Sequence, residues 1–187
     1  MLQNSNIYKL KTKRYIHQRE WFIMTKINRI AIHGFKSFAH KTDVPFDSKF
    51  NCILGPNGSG KSNIGDALCF VLGRISAKSM RAEKAANLIF NGGKKKTPAQ
   101  KAYVEIAFCN KNKVFPHQDK EIVVNRAITK KGASTYRING KKHTRSEVLD
   151  LLSIAKINPD GHNIVLQGDI MKFVDMSPVE RRKVIEE

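Results

Sequence analysis

The chain has 187 residues, 41% of them hydrophobic and 27% charged, a balance typical of a globular domain with its own core. Its three cysteines form no C-x-x-C pair, which disfavours a disulfide framework or a zinc site and fits a reducing cytoplasm, and its longest apolar run, Ala67 to Leu72, is far too short to span a bilayer. The formal net charge of +18 indicates either a polyanionic partner, most commonly nucleic acid, or a solvated basic surface.

The first 23 residues differ in composition from those that follow. They are basic and polar, and their one dense apolar cluster, Trp21-Phe22-Ile23, is shorter than a signal peptide requires. A strand-like pattern of isoleucines begins only after Met24. We therefore expect residues 1–23 to be a basic extension, disordered or upstream of the natural start, and residues 24–176 to form the domain.

A glycine-rich loop is the most specific motif in the chain. Before it, residues 50–54 alternate like a strand, and after it apolar residues recur at helical spacing from Ile64 until Gly73 supplies a stop. Strand, loop and helix are the context in which the pattern G-x-x-x-x-G-K-[ST] binds nucleotide phosphates. The residues that fit this pattern are Gly55, Pro56, Asn57, Gly58, Ser59, Gly60, Lys61 and Ser62.

The residue types in this loop account for the chemistry. Glycine permits positive φ and close approach, so successive backbone N–H groups can point at an anion, and the N-terminal end of the following helix adds its dipole. Lys61 would reach the β and γ phosphates, while the Ser62 hydroxyl would coordinate Mg²⁺. The sequence therefore predicts a nucleoside triphosphate bound together with Mg²⁺.

The middle of the chain is basic and reads as an antiparallel sheet. A short helical or irregular piece over residues 84–90 precedes two predicted strands, at 104–108 and 121–128, and the dipeptide Asn139-Gly140 predicts a hairpin. Residues 92–145 contain fourteen Lys or Arg and three Asp or Glu. The basic residues expected to hold an anionic polymer are Lys94, Lys95, Lys96, Lys130, Lys131, Lys141, Lys142 and Arg145.

Two helix starts follow the sheet. Thr144 and Glu147 form a capping box for one helix, and Ser177 and Glu180 form another, with proline at the first helical position. Between them, residues 162–167 read as a buried strand. The second helix reaches Glu187 without a stop signal, so residues 177–187 are expected to begin a longer helix in a truncated chain.

Taken in order, the motifs of the chain resemble the N-terminal head segment of archaeal-type SMC (structural maintenance of chromosomes) ATPases. The resemblance runs from about Met24 to the last residue. The segments that carry it are IHGFKSF at 32–38, NCILGPNGSGKSN at 51–63, ALCFVLG at 67–73, MRA at 80–82, LIFNG at 88–92, YRING at 136–140, NIVLQGDI at 163–170 and SPVERR at 177–182.

The resemblance implies an α/β fold: the N-terminal lobe of an ABC-type P-loop ATPase head, with an antiparallel β region and the start of a coiled-coil helix. Beyond the loop and Asn63, it implies nucleotide contacts from Lys36, Ser37 and Arg81. It gives Lys61 and Gln167 catalytic roles, and Ser62 and Gln167 contacts to Mg²⁺. Without the resemblance, Gln167 would read as a strand-end amide and Arg81 as a surface cation.

The resemblance also implies partners, because the chain contains neither a Walker B segment ending in Asp-Glu nor a Leu-Ser-Gly-Gly signature. Phosphoryl transfer depends on positioned donors and charge, so half a site should hydrolyse ATP poorly. Expected partners are the C-terminal lobe of the same protein, a second head in a homodimer, DNA bound without sequence preference, and a kleisin-type subunit. The expected location is the cytoplasm, at the nucleoid, with no membrane contact.

Two alternatives remain open at this point. One is a RecF- or RecN-like DNA-repair ATPase lobe, which would differ in how the full-length protein continues. The other is a nucleotide-regulated DNA-binding module without turnover. A small-molecule kinase or transporter subunit fits less well, because the basic antiparallel region and the proline-capped helix have no obvious use there.

Overall fold

Six antiparallel strands form the sheet that carries the core. The computed structural model describes residues 25–47, 50–76, 80–93, 97–159, 161, 164–166 and 175–186. The strands are β1 (Ile27–His33), β2 (Thr42–Pro45), β3 (Lys101–Cys109), β4 (Glu121–Thr129), β5 (Ser134–Ile138) and β6 (Lys141–His143), and their order across the sheet is β2-β1-β3-β4-β5-β6. The α/β fold and the antiparallel region are confirmed.

Alternation along the strands creates one apolar face. Ile106 of β3 lies opposite Ile30 of β1 on one side and Val124 of β4 on the other, and all three are buried. Residues at odd positions, such as Arg29 and Glu105, point the other way and form an ion pair of 2.7 Å. Because side chains alternate with period two, the register places the large buried aliphatic side chains of the strands on the same face, while the small buried residues Ala31 and Ala107 lie on the other.

Two helices, α1 (Lys61–Val71) and α2 (Arg145–Ile154), pack on this apolar face, and a short 3₁₀ helix spans Ala85–Leu88. A third helix, α3 (Pro178–Glu186), is exposed along residues 178–182. The core joins α1 to the turn after β1, where the rings of Phe70 and Phe35 lie 5.3 Å apart. In α2, Leu152 is fully buried in the same core.

The predicted helix caps, hairpin turn and helix stop are confirmed. Both capping boxes form: Glu147 N–H donates to Thr144 Oγ1 at 3.3 Å, and Glu180 N–H donates to Ser177 Oγ at 3.3 Å. The hairpin turn at Asn139 and Gly140 has φ angles of 46° and 81°, as a type I′ turn requires. The helix that follows the glycine-rich loop ends where Gly73, at φ 105°, stops it.

Two predicted strands are wrong. Residues 50–54 have no regular structure, and Phe50 and Leu54 are 86% and 85% exposed. A strand needs hydrogen-bonding partners on a neighbouring strand, and within the described residues none lies alongside this segment. The described part of the second prediction, residues 164–166, also forms no strand, and Val165 is 54% exposed.

An arginine on the apolar face of β4 anchors the end of α1. Arg126 Nη1 donates to the carbonyls of Phe70 at 2.9 Å and Arg74 at 3.0 Å. The guanidinium lies 4.3 Å from the centroid of the Phe70 ring and 4.9 Å from that of Tyr136. Burial lowers the pKa of Arg126 from its ordinary value. A cation at a helix C-terminus satisfies carbonyls that have no intrahelical partner and complements the dipole.

Candidate functional site

The glycine-rich loop ends at a helix N-terminus that no side chain satisfies. Gly60 is the N-cap residue of α1, at φ 94°, and in the described residues no side chain caps the helix and no acidic residue lies in its first turn. In contrast, α2 and α3 both carry a complete capping box. Asn63 N–H donates to the carbonyl of Gly60 at 2.9 Å, which leaves the N–H groups of Lys61 and Ser62 at the start of α1 available to an anion.

The loop approaches neighbouring residues too closely for any side chain at Gly60. A Cβ there would lie 2.7 Å from Ser37 Oγ, and the left-handed backbone already disfavours other residues. Asn63 Nδ2 donates to the same Ser37 hydroxyl at 2.9 Å. The predicted nucleotide residues Ser37 and Asn63 therefore lie against the loop.

Lys61 folds back over the loop that precedes it. Its Nζ donates to the carbonyl of Gly55 at 2.6 Å and to that of Pro56 at 2.8 Å. The side chain thus spans the loop and holds its amine above the backbone. A stronger acceptor such as a phosphate oxygen can replace these carbonyls, because charge-assisted bonds to anions are shorter and stronger.

Two adjoining cavities flank the start of α1. The smaller, of about 220 Å³, is lined by Lys61, Ser62, Gly65, Asp66, Arg81, Val165 and Leu166. The larger, of about 500 Å³, is lined by polar side chains that include Lys36, Ser37, Asn63 and Arg81. Arg81 contributes to both. The structure therefore brings together every predicted nucleotide residue that follows from the loop or from the resemblance, apart from Gln167.

Gln167 lies outside the described residues, so its predicted catalytic and metal-binding roles stay predictions. The residue just before it, Leu166, contacts α1 near Gly65 and lines the smaller cavity. Within the described part of the chain, no group of three or more His, Cys, Asp or Glu residues could hold a metal ion. Ser62 nevertheless fits Mg²⁺, which is commonly held by one or two protein oxygens together with substrate phosphates and water.

A buried acidic residue at the site was not among the residues predicted from the sequence. Asp66, on α1, is 1% exposed. Its Oδ2 accepts from Lys36 Nζ at 2.5 Å and from Arg81 Nη2. A signal existed: Asp66 is an acid among apolar helix positions, one turn after Ser62, and such a residue is rarely buried unless it is paired.

The basic surface lies mainly on the β4–β5 and β5–β6 hairpins. Lys130, Lys131, Lys141 and Lys142 are exposed there. Arg145 differs from the expectation, because it is only partly exposed and its Nε donates to the carbonyl of Gly73 at 2.7 Å. Lys94 to Lys96 and residues 1–23 lie outside the described residues. No helix in the described part of the chain is long and apolar enough to cross a membrane.

Comparison with known proteins gives consistent matches. The model of the RecF/RecN/SMC N terminal domain family matches residues 26–163. A curated chromosome partition protein Smc from Pyrococcus furiosus is 52% identical over 165 residues, which are 88% of this chain and 14% of that protein. The chain therefore spans about 14% of the length of the curated relatives that it matches.

Solved structures agree with these relatives. An Smc head domain from Pyrococcus furiosus, with an extended coiled coil and bound to the C-terminal domain of ScpA, is 52% identical with a TM-score of 0.83, over 87% of this chain and 41% of that chain. A second chain comes from work on ATP-driven dimerization and DNA-stimulated activation of SMC ATPases. It is 50% identical with a TM-score of 0.80, over 86% of this chain and 97% of that chain.

Proposed function

Because the chain belongs to the RecF/RecN/SMC N-terminal domain family, we propose that it binds ATP with Mg²⁺ as the N-terminal lobe of an SMC-type ATPase head. The observation that carries the proposal is the uncapped N-terminus of α1 at the end of a glycine loop, with Lys61 spanning that loop. We favour this function over a RecF- or RecN-type repair lobe because the similar curated relatives are Smc proteins.

Each residue of the proposed site has a separate role. The N–H groups of the loop and of the first turn of α1 would receive the phosphate oxygens, helped by the helix dipole. Lys61 would exchange the two loop carbonyls for β and γ phosphate oxygens. Ser62 would offer its hydroxyl to Mg²⁺, which would neutralise part of the phosphate charge. Lys36, Ser37 and Asn63 would contact the remainder of the nucleotide from the larger cavity, and Arg81 would contact the nucleotide where the two cavities meet.

Hydrolysis would require more than this lobe. We propose that residues 24–176 form the lobe, that residues 177–187 begin the coiled-coil helix, and that a C-terminal lobe and a second head complete the active site. The exposed side chains of Phe50 and Leu54, next to the loop, support a covering lobe there. A kleisin-type subunit and a cytoplasmic, nucleoid-associated location are part of the same proposal, supported by the ScpA-bound relative.

Binding without turnover tests the proposal. Titration of the chain with a fluorescent ATP analogue should show saturable binding that weakens when EDTA replaces Mg²⁺. Phosphate release by the same sample should stay at the level of buffer, because the second half of the site is absent. Ser62→Ala should bind but lose most of the effect of Mg²⁺. Absence of binding would refute the proposed function, and robust phosphate release would refute the half-site argument.

DNA binding by the basic hairpins is a further part of the proposed function. Affinity for duplex DNA should be independent of sequence and should fall with salt, with a log-log slope of roughly −0.9 per phosphate contact. Lys130→Gln with Lys131→Gln should reduce the magnitude of that slope by roughly two contacts. Lys111→Gln is the matched control, since Lys111 is exposed in the loop at the opposite end of β3 and β4. If the double substitution at Lys130 and Lys131 leaves the salt slope unchanged, these two lysines do not contact DNA.

A further inference from the structure

Three separate segments meet at the carboxylate of Asp66. Asp66 belongs to α1, Lys36 to the turn after β1, and Arg81 to the loop that precedes the 3₁₀ helix. The side chain of Lys36 is 11% exposed and that of Arg81 is 40% exposed. Lys36 Nζ also donates to the carbonyl of Met80, the residue before Arg81. The contacts therefore tie both cations and their loops to one point on the helix that carries the glycine loop.

The arrangement is costly to build. A buried carboxylate is tolerated only when it is paired and hydrogen-bonded, and here one oxygen receives two cations. Lys36 and Arg81 also adopt positive φ angles, 46° and 55°, which cost energy in residues other than glycine. The cluster carries one positive charge in excess. Strain together with surplus charge beside a cavity is typical of a functional constraint.

The position of the cluster connects it to the site. Asp66 follows Ser62 by four residues, so both lie on the same face of α1, and both line the smaller cavity with Lys61. Arg81 borders that cavity and the larger one, which Lys36 also lines. The carboxylate therefore fixes two cations at the boundary between the smaller cavity, proposed for the phosphates, and the larger cavity, proposed for the rest of the nucleotide.

We propose that Asp66 is a positioning residue, which holds Arg81, together with Lys36, at the boundary of the two cavities so that the guanidinium faces the phosphates of the bound nucleotide. This inference rests on the proposed ATP-binding function. Asp66 acts through Arg81 and touches neither nucleotide nor metal. In its absence, Arg81 keeps its charge but loses its bond to α1.

A double-mutant cycle tests the inference. Affinity for the fluorescent ATP analogue is measured for the unmutated chain, Asp66→Asn, Arg81→Ala and the double variant. Each single substitution should weaken binding about tenfold, the loss expected for one charge-assisted contact. The double variant should bind only slightly more weakly than Arg81→Ala alone, because Asp66 then has only Lys36 left to position. A merely structural role would instead weaken binding by the same factor in both backgrounds.

The outcomes that overturn the inference are distinct from failure of the proposed function. If Asp66→Asn weakens binding equally with and without Arg81, or does not weaken it, the positioning role is wrong. An effect that persists in Arg81→Ala and disappears in EDTA would make Asp66 a metal-binding residue instead. If Lys61→Ala binds as tightly as the unmutated chain, the proposed function itself fails, and the inference fails with it.

A measurement on the unmutated chain covers the case in which Asp66→Asn does not fold. Rotation of a guanidinium held by a buried carboxylate is slow, so Arg81 should give resolved ¹⁵Nη signals, assigned by their loss in Arg81→Ala. These signals should shift when Mg²⁺ and ATP are added to saturation. An averaged Arg81 signal, or one that does not respond to ATP, would contradict the inference.

Discussion

Magnesium ATP should raise the melting temperature of the unmutated chain, and Lys61→Ala should abolish the rise. A ligand at about a hundredfold excess over its Kd stabilises the folded state by about 2.7 kcal/mol, which for a chain of this size corresponds to roughly 5 to 10 °C. Lys61 is the only residue for which the structure shows an ammonium spanning the loop, among the residues described. Its removal leaves the phosphates without their closest proposed cation.

The comparison is made by thermal denaturation with and without nucleotide for each variant. Lys61 holds the carbonyls of Gly55 and Pro56, so the variant can differ in its nucleotide-free melting temperature. The relevant quantity is therefore the rise that each variant shows above its own nucleotide-free value. Lys111→Ala, at an exposed lysine in the loop between β3 and β4, is the matched control and should keep the full rise. A rise of equal size in Lys61→Ala would contradict the assignment of the loop.

The elements that the sequence predicted well are those specified by nearby residues. A capping box depends on two side chains three positions apart, as at Thr144 and Glu147, and a type I′ turn depends on Asn139 and Gly140 alone. The alternation in β3 is visible in nine consecutive residues. The helix that follows the glycine loop belongs to this group too, because the apolar spacing from Ile64 and the stop at Gly73 specify it locally.

Features that depend on residues far apart in the sequence were harder to predict. The segment at 50–54 has the alternation of a strand, but alternation cannot say whether a partner strand is present, and none lies alongside it in the described structure. Local patterns also do not determine the sheet order, in which β1 pairs with β3 across a long stretch of intervening sequence. Asp66 was missed because its two partners, Lys36 and Arg81, lie thirty residues before it and fifteen after it.

Arg126→Ala should lower the free energy of unfolding by about 3 kcal/mol. The change removes two hydrogen bonds from a charged donor to the carbonyls of Phe70 and Arg74, and a hydrogen bond to a charged group contributes about 1.5–3 kcal/mol. It also removes the stacking of the guanidinium on the rings of Phe70 and Tyr136, which contributes about 0.5–2 kcal/mol.

Equilibrium unfolding in urea measures this loss, and two further variants separate its causes. Arg126→Met keeps the aliphatic contacts but removes the donors, so it should fall between the unmutated chain and Arg126→Ala. Arg137→Ala is the matched control, because Arg137 is exposed on β5 and donates only to the nearby carbonyl of Gly140, among the contacts described. It should change stability by about 0.5 kcal/mol or less. A loss in Arg126→Ala no larger than in Arg137→Ala would mean that Arg126 does not anchor the end of α1, the helix that carries the glycine loop, to the sheet.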